Sequence, residues 1–162
     1  MAKRKSMKTP KWVKFIPVAL AVVVVCMMFL TVVSYTGRLL GSKIEYTGWQ
    51  TIFGYVEQTT VMGSTVKTEI LGFSFLNLLA IILPIAGALL QLSKSKVLKL
   101  VGAICALAGT IMLFLMPNMI VFAENTASIY EAYTSALGVG AIIAGVVAGI
   151  ETLVIGYEVI AK

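Results

Sequence analysis

Four long apolar runs alternate with polar stretches along the chain, and their lengths predict the elements. The runs cover about 15–35, 71–92, 97–116 and 137–160. A helix crossing a hydrocarbon core about 30 Å thick needs about 20 apolar residues, so each run is predicted to be a transmembrane helix. Between them lie 36–70, the short turn 93–96 and 117–136, with a basic tail over 1–14. The first run, Phe15 to Tyr35, exceeds the roughly 7–15 residues of a signal-peptide core and has no A-x-A-like cleavage site. It is therefore read as an uncleaved helix. Pro84, near the middle of the second run, predicts a kink.

The polar stretches have their own patterning. The first is rich in Thr, Tyr, Val and Gly, and Gly63-Ser64 separates Glu57–Met62 from Thr65–Ile70. A Gly-x pair between two such runs predicts a β-hairpin with a type II′ turn. In the second, Ser128 and Glu131 have the spacing of a capping box, which predicts a short surface helix. The expected fold is an all-α membrane protein: a single-domain antiparallel four-helix bundle carrying a small β-structured extracellular loop.

Charge orients this picture. Of 13 basic residues, ten fall in 1–14, around the middle turn (Lys94, Lys96, Lys99) or at Lys162, while Arg38, Lys43 and Lys67 lie in the first outer loop. The positive-inside rule then places both termini in the cytoplasm of a multi-pass plasma-membrane protein. Basic residues gathered at one end speak for orientation, not for a nucleic-acid surface. Only 12% of residues are charged, against roughly 25% in a soluble domain.

Composition also bounds the chemistry. His and Asp are absent, and seven Glu are the only acids. That removes a Ser-His-Asp triad, an HExxH zinc site and EF-hand loops. Cys26 and Cys105 lie inside apolar runs without metal-binding spacing. No catalytic residue, metal site or cofactor is expected.

The candidate residues are few. Glu151 sits about 21 Å along the fourth run, counted from Leu137 at 1.5 Å per residue. An acid at such depth costs roughly 2.5–3.5 kcal/mol on insertion scales. Three readings are open: an ion pair with Lys99; a protonated or interface-tilted group beside Glu158; or a residue that lines an ion or proton path or binds a cationic substrate. Asn77 reads as a hydrogen-bonding clasp to a neighbour such as Thr31. Ala141, Gly145 and Gly149 form a small-residue row for close helix packing, facing Gly102, Ala106 and Thr110 or a second copy of the chain. In the first outer loop Tyr46, Trp49, Phe53 and Tyr55 offer an aromatic surface for a partner.

Several of these segments carry a family likeness. Gly48-Trp49, Ile52-Phe53-Gly54, Phe73-Ser74-Phe75-Leu76-Asn77, Met116-Pro117-Asn118 and the Gly-rich last run resemble small four-helix membrane proteins of low-GC Gram-positive bacteria and their wall-less relatives. That family has no assigned activity, so the resemblance implies a bacterial membrane protein and no site. The layout also resembles that of claudin and tetraspan proteins. Claudins carry Gly-Leu-Trp and then a Cys pair in this loop; here the triplet is Thr47-Gly48-Trp49 and no Cys follows. The likeness implies topology alone.

The expected function is therefore non-enzymatic: a structural or accessory membrane protein that binds a partner through its first outer loop. The alternative is a small channel or transporter subunit using Glu151. Expected partners are the lipid bilayer and another membrane protein or a second copy, with no nucleic acid.

Overall fold

The computed structural model describes residues 11–38, 41–61, 64–124 and 126–160. Residues 1–10 of the basic tail, residues 62–63 and Lys162 lie outside them. In order, the chain forms a 3-10 turn (Lys11–Phe15), α1 (Ile16–Met27), β1 (Thr31–Gly37), β2 (Lys43–Thr47), α2 (Gly48–Phe53), β3 (Tyr55–Val61) and β4 (Ser64–Leu71). Then come α3 (Phe75–Gln91), α4 (Lys96–Phe114), a 3-10 turn (Met116–Met119), α5 (Ala127–Tyr130), β5 (Tyr133–Leu137) and α6 (Val139–Ile160).

This is a mixed α/β fold and not an all-α bundle: 22% of it is strand, in two antiparallel sheets. One sheet has the order β2-β1-β5, and the other is the β3-β4 hairpin. Among the described residues only α4 and α6 are long and apolar enough to cross a membrane, while Trp12–Met27 and Phe75–Gln91 are shorter apolar helices.

The difference arises in the first apolar run, which is helix over Ile16–Met27 and strand from Thr31. The amide of Met28 bonds the Val25 carbonyl, Phe29 bonds Cys26 and Leu30 bonds Met27, so i→i+3 bonds close the last turn. The β-branched Thr31, Val32 and Val33 then enter β1, which suits a pleated surface. Mean hydropathy does not distinguish a buried strand from the end of a helix. β1 is the central strand, with Tyr35 opposite Ile44 of β2 on one side and Ser135 of β5 on the other.

The hairpin is present with its register moved by one residue. Val61 pairs with Ser64, so the connection is 62–63 and not Gly63-Ser64. The capping box is elsewhere. Thr47 Oγ1 accepts from the Gln50 amide (3.4 Å) and Gln50 Oε1 accepts from the Thr47 amide (2.9 Å), which starts α2. α5 begins after Thr126 without a side-chain cap. Gly54 ends α2 with φ +92°, where a Cβ would lie 2.6 Å from the Leu71 carbonyl oxygen, so only glycine makes this turn into β3.

The helices form one body beneath the sheets. α3 and α4 approach closely where a Cβ on Gly87 would lie 2.7 Å from the Gly102 carbonyl oxygen. Such backbone contact stands in for the hydrophobic drive that helices lack in lipid. Pro84 stays within a continuous α3 and packs its ring against Gly109.

Candidate functional site

Polar side chains gather where three helix ends meet. Gln91 closes α3, Lys99 lies in the first turn of α4 and Glu158 in the last turn of α6. Gln91 Nε2 donates to Glu158 Oε2 at 2.6 Å, and Lys99 Nζ lies 3.5 Å from the same oxygen. All three residues are buried. Glu158 Oε1 and Gln91 Oε1 accept no hydrogen bond. A buried ion pair gains little over an apolar pair, but removing one member strands the other.

Glu151 lies two turns deeper on the same face of α6, along the buried series Ala144, Ala148, Glu151, Ile155 and Glu158. It is fully buried, and neither carboxylate oxygen has a hydrogen-bond partner. Lys99 forms its ion pair with Glu158 and does not reach Glu151 for one. The nearby hydroxyls are engaged locally: Thr110 donates to the Ala106 carbonyl and Thr152 to the Ala148 carbonyl, each at 2.9 Å. Beyond Glu151 the interior continues with the buried Ala144, Ala148, Val24, Met28 and Leu113.

Asn77 is a clasp, but its neighbour is not Thr31. Its Nδ2 donates to the Thr51 carbonyl at 3.3 Å and so fastens α2 to α3. Thr31 instead donates to Glu45 Oε2 at 3.2 Å. Glu45 also pairs with Lys43, which holds its carboxyl below the usual range. Ser74 caps α3 by accepting from the Asn77 amide, and its hydroxyl donates to the Met119 carbonyl at 2.7 Å.

The small-residue row packs within the chain. A Cβ on Gly145 would lie 2.6 Å from the Phe114 ring, and one on Gly149 would touch Thr110. Ala141 is buried in the same core. Of the expected partner row on α4, Thr110 meets α6, whereas Gly102 and Ala106 face Gly87 on α3.

The four loop aromatics divide. Tyr46 is buried, and its hydroxyl shares a 2.5 Å hydrogen bond with that of Tyr130. Tyr55 packs against Tyr46, and Tyr35 lies among Tyr46, Phe122 and Tyr130 with ring centroids 5.2–6.2 Å away. Burial pushes the Tyr35 phenol up to about 12. Burial also raises Tyr130, and burial together with the Tyr130 hydrogen bond raises Tyr46. Trp49 and Phe53 form a separate stack with centroids 5.9 Å apart, and Phe29 stands edge-on to Trp49. Phe53 is 61% exposed.

Sequence reasoning missed Gln91 and the Glu158–Lys99 pairing. Helix depth was the available signal. Lys99 is three residues from the start of α4 and Glu158 two from the end of α6, whereas Glu151 is nine from that end. At 1.5 Å per residue, Glu151 lies roughly 9 Å deeper than Lys99. Among the described residues no group of His, Cys, Asp or Glu is arranged to hold a metal ion. The chain matches no family model, no curated protein and no solved structure.

Proposed function

We propose that this chain is a non-enzymatic, multi-pass plasma-membrane protein of structural or accessory type, which holds a β cap outside the cell and engages a protein partner through hairpin β3–β4. The carrying observation is the hairpin. Every residue from Val56 to Thr60 and from Ser64 to Glu69 is exposed, on both faces of the ribbon. Its root is fixed: Thr126 Oγ1 and the Ala123 amide both donate to the Ile70 carbonyl, and the Gly72 amide donates to Val121. A bare two-stranded ribbon is marginal alone in water, and its free edges suit strand addition by a partner. The loop aromatics are therefore demoted. Tyr46 and Tyr55 pack the cap, and Trp49 and Phe53 suit the lipid interface better than a protein partner.

Support for the membrane lies in how α4 and α6 are dressed. Only 28% of the most apolar stretch of α4 and 39% of that of α6 is buried. Most of their Val, Leu and Ile side chains are exposed, Leu113 and Ile155 being buried, while Gly102, Ala106, Gly109, Ala141, Ala144, Ala148, Lys99, Glu151 and Glu158 are buried. A soluble core helix has the opposite dressing. The cluster of basic residues beside the α3–α4 turn favours a cytoplasmic location for that end and for both termini.

Two labelling experiments test this. With Cys26 and Cys105 replaced by Ala, Thr59→Cys reacts with an impermeant maleimide on intact cells, and Ser93→Cys reacts only after permeabilisation. The reverse pattern overturns the orientation. A photo-crosslinker at Gln58 yields one discrete protein adduct that a crosslinker at Ile142 does not. Identical adducts from both positions, or none, overturn the partner assignment.

A second reading has its own observation, the buried and unpartnered carboxylate of Glu151. A small channel or transporter subunit would use it to carry a proton or cation. Its test is flux in proteoliposomes: Glu151→Gln abolishes flux under this reading, and absence of flux in the unsubstituted protein removes it.

A further inference from the structure

A cavity of about 190 Å³ opens at the end of the bundle where Gln91, Lys99 and Glu158 meet. Lys14, Lys94, Lys96 and Lys99 line it, with Ser93 and Glu158. The four lysines come from three separate segments: the turn before α1, the α3–α4 connection and the first turn of α4. Among the described residues Glu158 is the single acid lining the cavity, and its Oε2 is already engaged by Gln91 and Lys99. Lys14 and Lys94 add their charge to that of the Lys99–Glu158 pair, which makes the hollow positive. The N-terminus of the 19-residue α4 adds its partial positive charge. Like charges held together in this way favour an anion between them.

A second hollow shows what kind of anion. Between α1 and α3 runs an almost wholly apolar groove of about 130 Å³, lined by Val18, Val22 and Val25 on one side and by Ile85, Ala88 and Leu89 on the other. Val18 lies four residues beyond Lys14, and Leu89 lies four residues before Ser93. Lys14 lies in the turn that leads into α1 and Ser93 in the turn that leaves α3, so in both segments the groove ends within four residues of the basic cavity. A positive pocket joined to an apolar furrow matches a phosphate carried on an acyl chain.

We propose that this end of the molecule binds one anionic phospholipid, with its phosphate among Lys14, Lys94 and Lys99 and one acyl chain along the α1–α3 groove. Basic pockets between helices on the cytoplasmic side take anionic headgroups in this manner. The assignment rests on the membrane reading above and adds a specific ligand to it. It differs from general attraction of the basic tail to a charged surface, because it requires one lipid in one place.

The test uses the full chain. Membrane residence is checked first: the protein should remain in the pellet after a carbonate wash and come out only with detergent. Release by carbonate overturns the membrane reading, whatever the outcome with lipid. The detergent-purified protein is then examined by native mass spectrometry with dioleoyl phosphatidylglycerol and dioleoyl phosphatidylcholine at equal concentration. One phosphatidylglycerol is expected to be retained in preference to phosphatidylcholine. Lys14→Gln with Lys94→Gln lowers that retention roughly tenfold or more, and Lys67→Gln on the hairpin, which removes a distant charge, leaves it unchanged. Val22→Trp, which fills the groove from its exposed side, lowers retention without removing any charge. Equal retention of both lipids, or no loss in the double variant, overturns the phosphate site. Displacement by millimolar inorganic phosphate, with Val22→Trp silent, overturns the lipid as ligand and leaves a site for free phosphate.

Discussion

The helical body and the β cap are built on opposite plans. In the body the large apolar side chains lie outside: Ile104, Leu107, Ile111, Val146, Ile150 and Leu153 are all exposed. Its interior holds Ala, Gly and the polar residues Gln91, Lys99, Glu151 and Glu158. In the cap the interior is aromatic and aliphatic, with Tyr35, Tyr46, Val33 and Ile52 buried, and the outside of the hairpin carries Glu57, Gln58, Thr59, Lys67 and Glu69. One chain thus shows two rules of burial, and each rule reports the solvent it suits. Water drives apolar groups inward. Lipid does not, so a helix there gains from small residues that permit close backbone contact and from polar groups that find one another.

The largest test of that contrast is inside the body. Lys99→Met leaves the Glu158 carboxylate with Gln91 as its donor and is expected to cost about 3–5 kcal/mol, read as a lower melting temperature in detergent. The double change Lys99→Met with Glu158→Met should recover most of the loss, since an apolar pair replaces a buried ion pair at little cost. No recovery would mean that the polar cluster is more than a pair.

Next comes the outside of the body. Leu107→Arg puts a charge on the outward face of α4 and is expected to disfavour insertion by about 2.5–3.5 kcal/mol, seen as loss of protein from the membrane fraction. Thr59→Arg on the hairpin should leave that fraction unchanged. Equal behaviour of the two would remove lipid from the comparison.

The smallest effect is expected in the cap. Tyr46→Phe removes the hydroxyl paired with Tyr130 and should cost about 0.5–1.5 kcal/mol. The same cluster sets an alkaline limit. Tyr35, Tyr46 and Tyr130 are raised above 10.0, so between that value and about 12 the folded cap keeps protons that the unfolded chain has lost. Stability is then full below about pH 10 and falls as pH rises toward 12. Near-ultraviolet circular dichroism of the tyrosines follows it, and a signal that is flat across that interval would contradict the burial of these phenols.

How much of this was legible depends on which periodicity carried it. α3, α4 and α6 were readable because long apolar runs with polar boundaries have few other solutions. The hairpin was readable from β-branched residues flanking a glycine. β1 was hidden because Thr31 to Tyr35 continues the apolar run of α1 without a break. β5 was hidden in a short polar stretch whose strand character comes from pairing with β1. α2 had a visible signal, Thr47 followed three residues later by Gln50, that competed with the similar spacing of Ser128 and Glu131. Pairing decided between them, since Gln50 bonds back and Glu131 does not. At the polar cluster the residue types were readable, but the partners depended on helix register, which composition does not carry.

The joint between β5 and α6 has a mechanical meaning. Gly138 is the single residue between them, and its amide bonds the Val32 carbonyl at 2.8 Å. α1 enters β1 through Met28–Leu30, and β1 is the strand that β5 pairs with. The two helices are therefore linked through the central sheet by short connections and strand pairing. In the membrane reading proposed above, bilayers of different thickness would tilt the helices by different amounts, and a tilt of α1 against α6 would load β1 and β5 first, while the β3–β4 hairpin belongs to a separate sheet.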